Sequence, residues 1–133
     1  MLIKERYEPD AELEDLIERT IGAAIEVHRR LGAGMLEMNY ENALCVELEH
    51  RSIPFQRQVP FRLQYRNQPI GELRVDLLIG SRLIVELKAV DQLHGLHTTQ
   101  VVSYLKATGL HVALLINFNV TVLRDGIKRI IAS

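Results

Sequence analysis

Apolar residues first fall into a regular pattern at Leu13, Leu16, Ile17, Ile21, Ala24, Ile25 and Leu31. That spacing predicts a helix over about 11–31, and the run Gly32-Ala33-Gly34 stops it. A second stripe, Leu36, Tyr40, Ala43, Leu44 and Leu48, predicts a helix over about 35–50. Ser52-Ile53-Pro54 breaks the helical period. Over 55–65 the pattern alternates: Val59, Phe61, Leu63 and Tyr65 face one way, and Gln58, Arg62 and Gln64 the other. This is the period of a half-buried strand. Arg66-Asn67-Gln68-Pro69 reads as a turn. Further strands follow at about 70–79 and 83–89, separated by Gly80-Ser81-Arg82. A third helix is expected over 95–108, closed by Gly109. An apolar run at 111–118 then reads as a buried central strand, and 120–131 as a last edge strand. Residues 1–10 read as an irregular lead-in. The order α-α-β-β-β-α-β-β predicts an α/β fold, a mixed β-sheet flanked by helices, and the whole length 1–133 is expected to be a single domain.

Composition narrows the class. Hydrophobic residues make up 47% and charged residues 25%, ordinary for a globular protein. Cys45 is the one cysteine, so no internal disulfide forms. No apolar stretch approaches the length of a membrane span, and no secretory leader is visible, so the expected location is cytoplasmic with no membrane partner. Net charge is −1 with a pI near 6.5. That weighs against a domain that grips nucleic acid by bulk charge. It leaves room for a local basic patch, or for an enzyme that handles phosphate through metal ions.

The chemistry concentrates in the second hairpin. In residues 72–79 the odd positions Leu73, Val75, Leu77 and Ile79 are apolar, which sends Asp76 to the other face with Glu72 and Arg74. In the next strand Leu83, Val85, Leu87 and Ala89 are apolar, so Glu86 and Lys88 share the opposite face. A two-residue turn would set Asp76 against apolar-face Val85. A three-residue loop, Gly80-Ser81-Arg82, sets it against Glu86, and Arg74 against Lys88. The hydrophobic pattern therefore demands the longer loop or a bulge. Two carboxylates in that register have Cβ atoms about 4.5–5.5 Å apart and repel. A divalent cation between them would relieve this, and hard oxygen ligands suit Mg²⁺ or Mn²⁺. An ordinary charged sheet face, with Lys88 neutralising one acid, accounts for the same short pattern.

The string Asp76…Glu86-Leu87-Lys88 on adjoining strands resembles the core motif of PD-(D/E)XK nucleases. Gln100-Val-Val-Ser-Tyr104 resembles the Gln-xxx-Tyr element of exonuclease-type members. Gly34-Met-Leu-Glu37-Met-Asn-Tyr40 is similar to the signature of the GxxExxY branch. The likeness spans about residues 15–125. It implies a restriction-endonuclease-like core and a metal-dependent nuclease acting on phosphodiester bonds. By the same resemblance Asp76 and Glu86 are metal ligands, Glu37 is a further metal-binding acid from a helix, and Lys88 is the catalytic lysine. Gln100 and Tyr104 support the site or the substrate. The implied cofactor is Mg²⁺ or Mn²⁺. The implied partner is nucleic acid, DNA ahead of RNA, with a homodimer left open. Two departures stand out. Val75 occupies the position of the superfamily's proline, and Thr98 stands where this branch more often carries an acid. The superfamily also contains repurposed members. A catalytically inactive module that binds a protein partner or nucleic acid is therefore the competing class. The near-neutral charge favours it, and the complete Asp, Glu and Lys set argues for catalysis.

Other candidates have plainer readings beside the functional one. Glu37 in the first turn of a helix also complements the helix dipole. Tyr40 shares the stripe of Leu36 and Leu44, which suits core packing. Gln100 and Tyr104 are spaced i, i+4, as a simple side-chain contact would be. His28 lies on an apolar stripe and reads as a hydrogen-bonded core histidine. His97, three residues before Gln100, shares its face. Cys45 has no partner suggesting zinc or a nucleophile.

Overall fold

The computed structural model describes residues 7–132. Residues 7–10 are irregular, as expected of the lead-in; its first six residues lie outside the described part. Asp10 starts α1 (Ala11–Leu31) by accepting the Leu13 N–H at 2.9 Å, which satisfies one of the donors a helix leaves free in its first turn. The helix buries Leu13, Leu16, Ile17, Ala23, Ala24 and Val27. Gly32 ends it with φ 72. Helix α2 (Glu37–His50) begins two residues later than the pattern suggested. The chain before it is held in a loop, with the Met35 N–H donated to the Tyr40 hydroxyl at 3.2 Å.

Five strands follow: β1 (Phe55–Tyr65), β2 (Gln68–Ile79), β3 (Leu83–Lys88), β4 (Val112–Asn117) and β5 (Ile127–Ile131), with α3 (Gly95–Thr108) between β3 and β4. They form one sheet in the order β1-β2-β3-β4-β5. All neighbours are antiparallel except β3 and β4, which run parallel. A parallel pair needs a crossover, and α3 supplies it. Helices α1 and α2 cover one face of the sheet, over Leu77, Ile79, Val85, Leu87, Leu114 and Ile116. Helix α3 covers the other with Val101 and Leu105, over Val75, Ile84, Ala113 and Leu115. Strands β3 and β4 are buried on both faces, which is why both read as nearly continuous apolar runs. The element order is the expected one. No described helix is long and apolar enough to cross a membrane.

Three local expectations change. The first hairpin turn is the two residues Arg66 and Asn67, with φ 48 and 64, and Pro69 already belongs to β2. Positive φ at both central residues matches the twist of the flanking strands. The proline is tolerated because the register shifts between Leu63 and Gln64, opposite it. Residues 120–126 are not strand. Leu123–Gly126 form a 3-10 turn before β5, packed so tightly that a Cβ on Gly126 would meet the Asn117 carbonyl oxygen at 2.2 Å. Finally, the odd positions of β2 do not share one face. Leu73 and Val75 join the core beneath α3, whereas Leu77 and Ile79 join the core beneath α1 and α2. The strand changes faces at Asp76.

Candidate active site

The β2–β3 loop has three residues, Gly80, Ser81 and Arg82, since Ile79 pairs with Leu83 and Leu77 with Val85. Continued one step, that register sets Asp76 against Glu86. The regular ladder stops there and the side chains take over. Glu86 Oε1 accepts the Asp76 N–H at 2.8 Å, and Asp76 Oδ2 accepts the Leu87 N–H at 2.9 Å. Each carboxylate thus occupies the main-chain donor of the other strand. Beyond this point β2 continues with β1 alone, and Arg74 faces Pro60 of β1. The expected pairing of Arg74 with Lys88 therefore does not form, because the strands part at the carboxylates.

Strand β1 shapes the other side of Asp76. Gln58, between the pairs Arg57–Leu77 and Val59–Val75, has φ 47. This left-handed conformation is costly for a residue with a Cβ. It accompanies the change of face, and Gln58 Nε2 donates to Asp76 Oδ1 at 3.4 Å and to Glu41 Oε1 at 2.8 Å. Glu41, 4% exposed, is also paired with Arg57 at 2.7 Å. Glu41, Arg57 and Gln58 were missed in the sequence. The available signal was the i, i+4 spacing of Glu37 and Glu41, which places two acids on one side of α2.

Electrostatics follow from this crowding. Burial pushes the Glu86 carboxyl up to about 8, and the neighbouring Asp76 charge adds to the rise; the Asp76 N–H and Lys88 pull the other way. Burial also raises Asp76, against the Leu87 N–H, with the charge of Glu41 contributing to the increase. The proximity of the two carboxyls favours the proton on Glu86 and the charge on Asp76. Two acids in one partly desolvated place do not ionise independently.

The remaining sequence candidates fall unevenly around the pair. Lys88 is the half-buried last residue of β3. Its charge is felt by Glu86 and Glu37, yet it forms no ion pair among the described residues. Its strand end is pinned by Phe118, whose N–H donates to the Lys88 carbonyl at 2.9 Å. The Asn117 amide exchanges two further bonds with Val90. Glu37 is the first residue of α2 and exposed. Partial desolvation and then the Asp76 charge raise its carboxyl, with Lys88 opposing. Tyr104 is half-buried on α3, and its hydroxyl is raised by burial and then by Glu86 and Asp76. Gln100, one turn earlier, is exposed and makes no side-chain hydrogen bond among the described residues. The structure therefore gathers Asp76 and Glu86 closely, with Lys88, Glu37 and Tyr104 in electrostatic reach. It shows no contact between Gln100 and the pair. Among the described residues no three His, Cys, Asp or Glu side chains form a ready metal cage.

Other residues find structural roles. Tyr40 is fully buried and stacks on Phe118 with ring centroids 4.5 Å apart. Its hydroxyl donates to the Gly32 carbonyl at 2.6 Å. The tyrosine thus ties down the glycine loop that delivers Glu37. The His28 ring is bonded through Nε2 to the Val120 carbonyl at 2.8 Å, the core role expected of it. His97 accepts the His94 N–H through Nδ1 at 3.1 Å and caps α3. Cys45 is buried, and burial raises its thiol.

A mixed sheet between helices, with an acid pair and a lysine where two strands part, defines a nuclease-type scaffold. The sequence model of the PD-(D/E)XK nuclease superfamily matches residues 14–130, and the chain belongs to that superfamily. The sheet and its flanking helices are those of the restriction-endonuclease-like fold. Comparison with curated proteins and with solved structures finds no match. Superfamily members generally use divalent metals.

Proposed function

We propose that this chain is a metal-dependent nuclease of the GxxExxY branch, hydrolysing phosphodiester bonds of nucleic acid within a single nuclease-like domain. The observation that supports this most is the Asp76–Glu86 pair. Each acid is fixed by the main chain of the other's strand, and both are raised by burial. That donor set fits a hard divalent cation, Mg²⁺ or Mn²⁺, because a second positive charge offsets what makes the pair costly. When bound, such an ion lowers the pKa of water and offsets charge on a phosphate.

The chain's own residues do the rest. Asp76 and Glu86 hold the ion. Gln58, anchored on Glu41, keeps Asp76 oriented. Lys88, without an ion pair among the described residues, aims an ammonium group that orients the attacking water or offsets phosphate charge. Glu37 supplies an outer acid from α2. Tyr104 and Gln100 on α3 position the substrate strand. DNA is the preferred substrate ahead of RNA, in the cytoplasm, and a homodimer would offer one site to each strand of a duplex.

The test is a cleavage panel in Mg²⁺ or Mn²⁺ over single-stranded, duplex and branched DNA and RNA. Wild type should cut at least one substrate. Asp76→Asn should abolish cutting, and Lys88→Ala should lower the rate about 10²-fold or more. Metal binding without cleavage of any substrate would transfer the case to a non-catalytic binding module.

A further inference from the structure

The β1–β2 hairpin is longer than the sheet that carries it. Its ladder runs from Phe55–Ile79 out to Tyr65–Gln68, whereas β3 reaches only Leu77 of β2. Beyond Asp76 the two strands continue as a ribbon, and residues 64–72 are all exposed. A two-stranded ribbon in water is marginal on its own account, so its surface composition is informative. Residues 60–74 carry three arginines, Arg62, Arg66 and Arg74, and one acid, Glu72, within a chain of net charge −1. Register explains their placement. Pro60 faces Arg74 and Arg62 faces Glu72, and directly opposite residues share a face. Phe61 and Leu73, on the other face, are taken by the core beneath α3. Arg62 and Arg74 are therefore on the side the core does not use, and Arg66 stands in the exposed turn at the tip.

Their partners are as telling. Elsewhere Arg51, Arg57, Arg82 and Arg129 each reach a carboxylate at 2.7–2.8 Å. On the ribbon Glu72 pairs only with Arg74, at 3.3 Å. Arg62 and Arg66 reach no carboxylate among the described residues, and Arg66 lies 5.9 Å over the ring of Tyr65, itself 65% exposed.

We propose that this ribbon is a nucleic-acid arm, whose Arg74, Arg62 and Arg66 hold phosphates spaced along a strand leading away from Asp76. Strand geometry sets the spacing. Arg74 is two residues from Asp76, roughly 7 Å along β2, and the ribbon tip at Gln68 is roughly 27 Å away. A nucleic-acid strand rising 3.4 Å per residue covers that reach in about eight nucleotides. The arm would thus supply affinity without sequence preference, since phosphate contacts position and do not read bases. It also reconciles a near-neutral chain with a polyanionic substrate, because the positive charge is local.

This inference rests on the nuclease reading, so the experiment separates the two. Binding is measured by fluorescence anisotropy with a labelled 20-base-pair duplex in EDTA, across a salt series. Hydrolysis of a small phosphodiester, bis(p-nitrophenyl) phosphate, is measured in Mn²⁺. Arg62→Ala/Arg66→Ala should weaken duplex binding by tenfold or more and reduce the salt slope by about 2. The lysine double variant should restore most of both, since it keeps the charge. Small-ester hydrolysis should be unchanged. Unaltered duplex affinity and slope in the alanine double variant, with a native circular dichroism spectrum, would overturn the arm. Loss of duplex binding in a protein whose wild type never hydrolyses the small ester would support the arm and count against the nuclease.

Discussion

Glu86 accepts the main-chain N–H of Asp76 at 2.8 Å, and Asp76 in return holds the N–H of Leu87, the residue after Glu86, at 2.9 Å. These bonds end the β2–β3 ladder and lock two acids side by side. The scaffold thereby fixes the acids before any ligand arrives, at an electrostatic cost that a cation would relieve.

Glu86 should make metal-free stability depend on pH. Its folded pKa is raised from 4.5 to about 8. Folding then favours the protonated form, so this contribution is fully present below about pH 4.5 and is lost as pH rises towards 8. The raised Asp76 acts in the same direction. Urea unfolding between pH 5 and 9 should show wild type losing stability on the order of a few kcal/mol, and Glu86→Gln should flatten most of that slope. A wild-type profile already flat over this range would contradict the assignment.

Divalent metal should reverse that loss. Mg²⁺ or Mn²⁺ binding only the folded pair raises stability by about 2.7 kcal/mol at 100 times its dissociation constant. Binding displaces the proton held by the pair, so the thermal shift should grow as pH approaches 8. Asp76→Asn should remove most of the shift. Asparagine is the proper control because its oxygen can still accept the Leu87 N–H. Asp76→Ala would leave that donor unpaired, at about 1–3 kcal/mol. Differential scanning fluorimetry with and without metal checks both variants.

Arg57→Ala should destabilise the fold although Arg57 is exposed. It would leave Glu41, only 4% exposed, with Gln58 but without its charged partner. A loss of about 1–3 kcal/mol is expected, largely recovered by adding Glu41→Gln, which removes the buried charge. Equal losses in the single and double variants would show that the pair is not the cause.

Tyr40→Phe should keep the stacking on Phe118 but lose the hydroxyl bonds to Gly32 and Met35. A cost of about 1 kcal/mol is expected. Hydrogen exchange should rise in residues 32–37 and not in the sheet. A uniform rise across the sheet would mean that the tyrosine acts through the core alone.

The sequence by itself determined the element order and the juxtaposition of Asp76 with Glu86, through either a three-residue β2–β3 loop or a bulge; the structure chose the loop. Periodicity names the buried face of each element, and a one-residue slip would have sent Glu86 into the core beneath α1 and α2. The motif residues Glu37, Tyr40 and Tyr104 were visible as well, although the pattern could not separate chemistry from packing. Tertiary structure settled that for Tyr40, whose ring lies on Phe118, 78 residues later in the chain. Only the tertiary structure decided the change of face at Asp76, because local alternation continues unbroken through Val75 and Leu77 while their neighbours in space differ. Only it revealed the Glu41–Arg57–Gln58 support, since an ion pair between a helix and a strand leaves no period in either. It alone parted Arg74 from Lys88, because two carboxylates accepting main-chain donors end a ladder that the hydrophobic pattern would have continued.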